Sequence, residues 1–144
     1  MSEINEQTYL GIDYGRRRIG LAKTDPTATI ATALETITVK SQAEAVEKVG
    51  RLIGELKPVG LVIGYPLHES GEPSDMCAEI DGFLEKLSET YSGPVYRIDE
   101  FGSSQEAASI VHKHGKRSGR DKQKLDRLAA VVILERFLRE RQSQ

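Results

Sequence analysis

"LGIDYGRRRIGLAKTD", residues 10–25, places one acid in an apolar strand pattern. Asp13 stands between Ile12 and Tyr14, and three arginines follow the glycine at 15. A carboxylate in a folded core is costly unless something binds it. Residues 8–14 read as a buried strand and residues 17–24 as a second, with Gly15-Arg16 as a tight hairpin turn. In "ALETITVK", 33–40, Leu34, Thr36 and Thr38 alternate with Glu35, Ile37 and Val39, which predicts a third strand. Three strands joined by short loops predict an antiparallel meander.

Beyond the meander, strands and helices alternate. Ser41 and Glu44 have capping-box spacing, and Ala43, Val46, Val49, Leu52, Ile53 and Leu56 follow at helical spacing up to Pro58. "VGLVIGYP", 59–66, is a continuous apolar run, the pattern of a strand covered on both faces. A second helix is expected from Pro73 or Ser74 to about Tyr91, with Met76, Ile80, Phe83, Leu84 and Leu87 inward. A strand over 94–100, a helix over 103–115, a basic loop, and an apolar helix from about residue 124 complete the order. Such an order predicts an α/β chain: a mixed five-stranded sheet, antiparallel meander plus parallel strands, flanked by helices. Its site belongs at the carboxyl ends of the strands.

With 144 residues, 38% of them hydrophobic, the chain is expected to be one domain with its core over about 8–140. The net charge of −2 implies no polyanionic partner by itself, so any such partner must be met by locally clustered charge. The single cysteine, Cys77, permits no disulfide or cysteine zinc site within one chain and suits a reducing, cytoplasmic location. Cys77 reads as a helix-face residue, and His68, His112 and His114 as surface residues. The polar start "MSEINEQTY" does not read as a signal peptide, and no apolar run approaches the ~20 residues of a membrane span.

Three acids occupy telling positions: Asp13 near the end of the first strand, Glu100 at the end of the last, and Asp126 in the first turn of the last helix. Singly, each has an ordinary explanation. Asp126 can complement a helix dipole, Glu100 can be a loop-mouth acid, and Asp13 can be held by N–H groups of its own turn. Gathered at one rim they repel, and a hard divalent cation is the simplest reason to gather them. Two ions about 3.5–4 Å apart would serve phosphodiester hydrolysis. Two basic clusters flank these acids: Arg16, Arg17 and Arg18, and then Lys113, Lys116, Arg117, Arg120, Lys122 and Lys124. Both are candidate phosphate contacts.

Over about Tyr9 to Leu138 the chain resembles the YqgF family, also called RuvX, of Holliday-junction-resolvase-like proteins described as pre-16S rRNA nucleases. "GIDYGRRRIGLAKTD" is similar to its first-strand D-x-G turn with a basic residue and I-G-x-A. "LVIGYP" is similar to its V-G-L-P, "IDE" to its D-E, and "KLDRLAAVVILERFL" to its K-x-D-x-x-A-A-x-x-I-L. The resemblance implies a ribonuclease-H-like fold. It also implies that Asp13, Glu100 and Asp126 are catalytic metal ligands, and that structured RNA is cut to mature the 5′ end of pre-16S rRNA. The family's Arg after D-E is Phe101 here, followed by Gly102, and Tyr65 stands for the usual Leu.

The expected activity is therefore a nuclease using Mg²⁺ or Mn²⁺, in two ions, on pre-16S rRNA or ribosomal precursor particles. The chain would act as a monomer or weak homodimer away from any membrane. Two alternatives remain open: a non-catalytic RNA- or DNA-binding factor in ribosome assembly or transcription, motivated by Phe101, and a Holliday junction resolvase acting on branched DNA. A sugar-kinase-like ATPase would need a second facing domain that 144 residues cannot hold.

Overall fold

The computed structural model describes residues 7–99 and 119–142. The apolar runs in those residues form strands β1 (Tyr9–Asp13), β2 (Arg18–Thr24), β3 (Ala31–Thr38), β4 (Gly60–Tyr65) and β5 (Val95–Asp99). Helices α1 (Gln42–Leu56), α2 (Asp75–Leu87) and α3 (Gly119–Gln142) accompany them. The sheet order is β3-β2-β1-β4-β5, so the strand carrying Asp13 is central. β1 pairs antiparallel with β2 and parallel with β4; β2–β3 is antiparallel and β4–β5 parallel. This is the expected mixed sheet. The helix expected over 103–115, with His112 and His114, lies outside the described residues.

The two-residue period of the strands divides the core into two layers. Leu10, Ile12, Ile19, Leu21, Leu61 and Ile63 face α1 and α2, meeting Ala45, Val49, Ile53, Ile80, Phe83 and Leu87. On the other face Tyr9, Ala22, Val62 and Ile98 meet Ala130, Ile133, Leu134, Phe137 and Leu138 of α3. β4 is buried on both faces, as its unbroken apolar run predicts. α1 begins where the capping box places it. Ser41 Oγ accepts from the Glu44 N–H at 3.1 Å, and the Glu44 carboxylate accepts from the Lys40 N–H at 2.6 Å. Ala43 faces outward and Ala45 takes the core position, in line with Val49 and Ile53 at four-residue spacing.

α3 crosses the sheet from Asp126 over Gly20, through Ala130 and Leu134 over Gly11, to Phe137 against Tyr9. Gly20 makes this approach possible: a Cβ there would stand 2.0 Å from the Asp126 carbonyl oxygen. At the far end Tyr9, Tyr96 and Phe137 pack as an aromatic trio, with centroids 4.9–6.2 Å apart. The Arg141 guanidinium lies over the rings of Tyr9 and Phe137 and donates to the Tyr9 hydroxyl.

The structure corrects the sequence reading in three places. The β1–β2 connection is four residues, 14–17, and not a two-residue turn. Gly15 serves it by its small size, since a Cβ there would lie 2.5 Å from the Arg18 carbonyl oxygen. In β3, strict alternation would put Leu34 and Ile37 on opposite faces. The register jumps between Leu21 and Ala22, whose partners are Glu35 and Ala33, so Leu34 is an extra residue. This bulge lets Leu34 and Ile37 pack on the same core while Thr36 turns to α3. Finally, α3 begins at Gly119, so Asp126 sits two turns inside the helix. The early turns carry no apolar periodicity that could mark them, and Asp126 lies beyond the first turn where the helix dipole acts.

Two predictions follow from the packing. Gly20→Ala is expected to cost about 1–3 kcal/mol through overpacking against backbone. Gly54→Ala, in exposed α1 with nothing within 4 Å, is expected to gain about 1 kcal/mol; denaturant unfolding checks both. In the β2–β3 loop, the Asp25 carboxylate accepts from the N–H groups of Ile30 and Thr29, each at 2.7 Å, and from Thr27. These donors, the Ile30 N–H foremost, hold it well below the usual carboxylate range. Its contribution to stability is therefore complete above about pH 4 and lost as pH falls through the lower folded value. Asp25→Asn should be less stable than the parent at pH 7, with the difference shrinking below that range.

Candidate functional site

Alternation along β1 puts Tyr9, Gly11 and Asp13 on the α3 face, because Leu10 and Ile12 face the other core. Asp13 pairs directly with Gly20 of β2. Across β1 it lies one residue beyond the Ile12–Ile63 pair, next to Gly64 of β4. The acid thus stands at the carboxyl end of the central strand with glycines on both flanks. Asp126 comes to the same place from above, its carbonyl oxygen seated on Gly20. Asp13 and Asp126 thus share Gly20 as a neighbour, the one across the β1–β2 pair and the other from the helix above it.

Arg18, two residues before Gly20 on the same face, donates from Nε to Asp126 Oδ2 at 2.7 Å. The Asp126 side chain is 18% exposed and that of Arg18 38%, so the pair sits at the rim, half out of water. The helix end carrying Asp126 is also tied to the sheet edge. Thr36 Oγ1 donates to the Gln123 carbonyl at 2.6 Å and accepts from Arg127 at 3.4 Å.

The other sequence candidates separate. Arg16 pairs with Glu79 of α2, on the opposite side of the sheet, and that carboxylate raises its already high pKa. Arg17 is exposed. Lys122 and Lys124 are exposed on the first turns of α3, Lys122 one turn before Asp126 on the same helix face. The arginine triplet thus points in different directions. Glu100, Phe101, Gly102, Lys113, Lys116 and Arg117 lie outside the described residues, as does the side chain of Arg120. Among the described residues, no three His, Cys, Asp or Glu groups stand together as a metal cluster. Cys77 is buried on the α2 core face.

Two sets of contacts were not foreseen in the sequence. Arg136 donates to the Asp99 carbonyl at 2.8 Å and so fixes the end of β5 against α3. It is one of several arginines on a charged helix face, with no pattern to single it out. On the α2 side of the same rim, the Tyr65 hydroxyl donates to Asp81 at 3.0 Å, and Arg97 pairs with Asp81 at 3.2 Å while lying over the Tyr65 ring. Desolvation, reinforced by Asp81, raises the Tyr65 pKa, so this phenol stays protonated.

A family model described as "RuvX: Holliday junction resolvase" matches residues 7–140. A Chloroflexus aggregans protein named "Putative pre-16S rRNA nuclease" is 36% identical over 135 residues, 94% of this chain and 95% of the relative. A Chlorobium phaeobacteroides protein of the same name is 34% identical over 141 residues, 96% of each. Among solved structures, Thermus thermophilus RuvC superposes with a TM-score of 0.60 at 17% identity, over 95% of this chain and 97% of that one. At that identity the likeness speaks to the fold, which is ribonuclease-H-like. Among the described residues, no helix is long and apolar enough to cross a membrane.

Proposed function

The chain belongs to the RuvX family, and from that premise we propose that it is a cytoplasmic, divalent-metal-dependent endonuclease that cuts structured RNA to mature the 5′ end of pre-16S rRNA. One observation carries the reading: at the carboxyl end of β1, Asp13 pairs with Gly20, and the Asp126 carbonyl oxygen is seated on that same glycine.

The residues suit a hard cation. Their donors are carboxylate oxygens, and both acids are half-buried at the rim of the sheet, where water can reach them. Asp13 and Asp126 would hold Mg²⁺ or Mn²⁺, in two ions. Glu100, which follows β5 directly and takes the even-numbered place of Tyr96 and Ile98 in the sequence, would complete the set. When bound, the cations polarise the scissile phosphate and neutralise charge on the leaving oxygen. The chain's own part is to position. Gly20 lets the Asp126 turn of α3 settle on the strand next to Asp13, and Arg136 secures the end of β5. Arg17, Arg18 and Lys122 would contact the phosphate backbone of a substrate. Lys113, Lys116, Arg117, Arg120 and Lys124 would extend that track.

A second reading, a binding factor without turnover, draws on the occupation of Asp126 by Arg18 and on Phe101 in place of the family's Arg. Cleavage of a precursor 16S rRNA fragment in Mg²⁺ or Mn²⁺ tells the readings apart. Asp13→Asn and Asp126→Asn should each slow cleavage by about a hundredfold or more, the scale of losing one transition-state electrostatic contact. Cleavage at the parent rate by Asp13→Asn would overturn the assignment. RNA binding with no cleavage would favour the factor, and preferential cutting of a four-way DNA junction would make branched DNA the substrate.

Affinity offers a separate check. Arg17→Ala should weaken RNA binding and reduce its salt slope by about one unit. Arg16→Ala should leave both unchanged, because Glu79 already holds that charge on the far side.

A further inference from the structure

Arg18 Nε binds Asp126 Oδ2 at 2.7 Å, one of the oxygens the proposed reading gives to a cation. We propose that Arg18 is a built-in competitor of the metal at this site, which releases Asp126 when its guanidinium passes to a substrate phosphate. The inference rests on the nuclease reading and adds a coupling between substrate and cation.

Three features support it. A guanidinium and a divalent cation compete for the same carboxylate lone pairs, and their like charges repel. Asp126 cannot retreat from its partner: its carbonyl sits on Gly20 and its own turn is tied to Thr36. With only 18% of the Asp126 side chain exposed, water compensates its charge poorly and a fixed counter-charge is required. Arg18, in contrast, starts its strand and keeps 38% of its side chain in solvent, so it has room to turn outward. Its planar fork suits a phosphate in two-point fashion as well as it suits a carboxylate. Arg18 therefore has two anionic partners, and the one it leaves is the one the cation needs. Linkage then makes substrate and cation strengthen each other's binding reciprocally.

The test measures Mn²⁺ affinity by calorimetry on the intact protein without nucleic acid. Arg18→Gln should bind Mn²⁺ about tenfold tighter than the parent, within the usual span of coupling between sites. Asp126→Asn and Asp13→Asn should bind it more weakly. Should Arg18→Gln fail to fold by circular dichroism, Arg18→Met, which keeps an aliphatic stem and removes the charge, should bind tighter than the parent. A phosphorothioate RNA hairpin should raise the parent's Mn²⁺ affinity by a larger factor than that of Arg18→Gln, in which there is no competitor left to release. If the Asn variants weaken binding but the Arg18 variants do not strengthen it, competition is refuted and the metal site stands. If the hairpin raises both affinities by the same factor, or raises neither, the release onto phosphate is refuted. Unchanged Mn²⁺ binding in both Asn variants, or none in parent and Arg18→Gln alike, would overturn the metal reading together with this inference.

Discussion

The contact between the Asp126 carbonyl and Gly20 is the constraint on which the arrangement turns. A helix normally stands off a sheet by the length of the side chains between them. Here the strand supplies no side chain, and the helix backbone comes down onto it. That approach converts a sequence separation of more than a hundred residues into adjacency, because Gly20 is the direct partner of Asp13. Apolar packing from Ala130 to Leu138 carries the middle and far end of the α3 interface, and polar ties from Thr36 and Arg18 hold the Asp126 turn in place.

Placing two acids side by side creates an electrostatic problem that the chain solves locally. Arg18 meets Asp126, and the charge that could have supported it from Arg16 is spent on Glu79 across the sheet. The two faces of the rim therefore differ in character. The α2 face carries a closed group, Tyr65, Asp81 and Arg97, in which hydroxyl, acid and base satisfy one another. The α3 face holds its acids on a glycine floor beside exposed cations.

Much of this was legible in the residues. An acid inside "LGIDYG" signals a demand for a partner, the unbroken run in "VGLVIGYP" signals a strand covered twice, and Ser41 with Glu44 marks a helix start by capping chemistry. Asp13 and Asp126 were identifiable because each breaks an apolar pattern. What stayed hidden has physical causes. The extra residue at Leu34 leaves no trace in composition, since a bulge is set by what the neighbouring strand requires. The early turns of α3 are polar all round and lack the periodicity that reveals a helix. The divergence of Arg16, Arg17 and Arg18 depends on Glu79 and Asp126, residues far away in sequence, so no local rule could assign it.

The aromatic trio at the other end of α3 has a consequence for how the helix can behave. Phe137 and Arg141 of its last turns pack on Tyr9 and Tyr96, while the turns around Asp126 are seated on Gly20 and tied to Thr36 and Arg18. A rod clamped at both ends cannot tilt or slide freely, so the position of Asp126 is set by the sheet beneath it and not by the segment that leads into the helix.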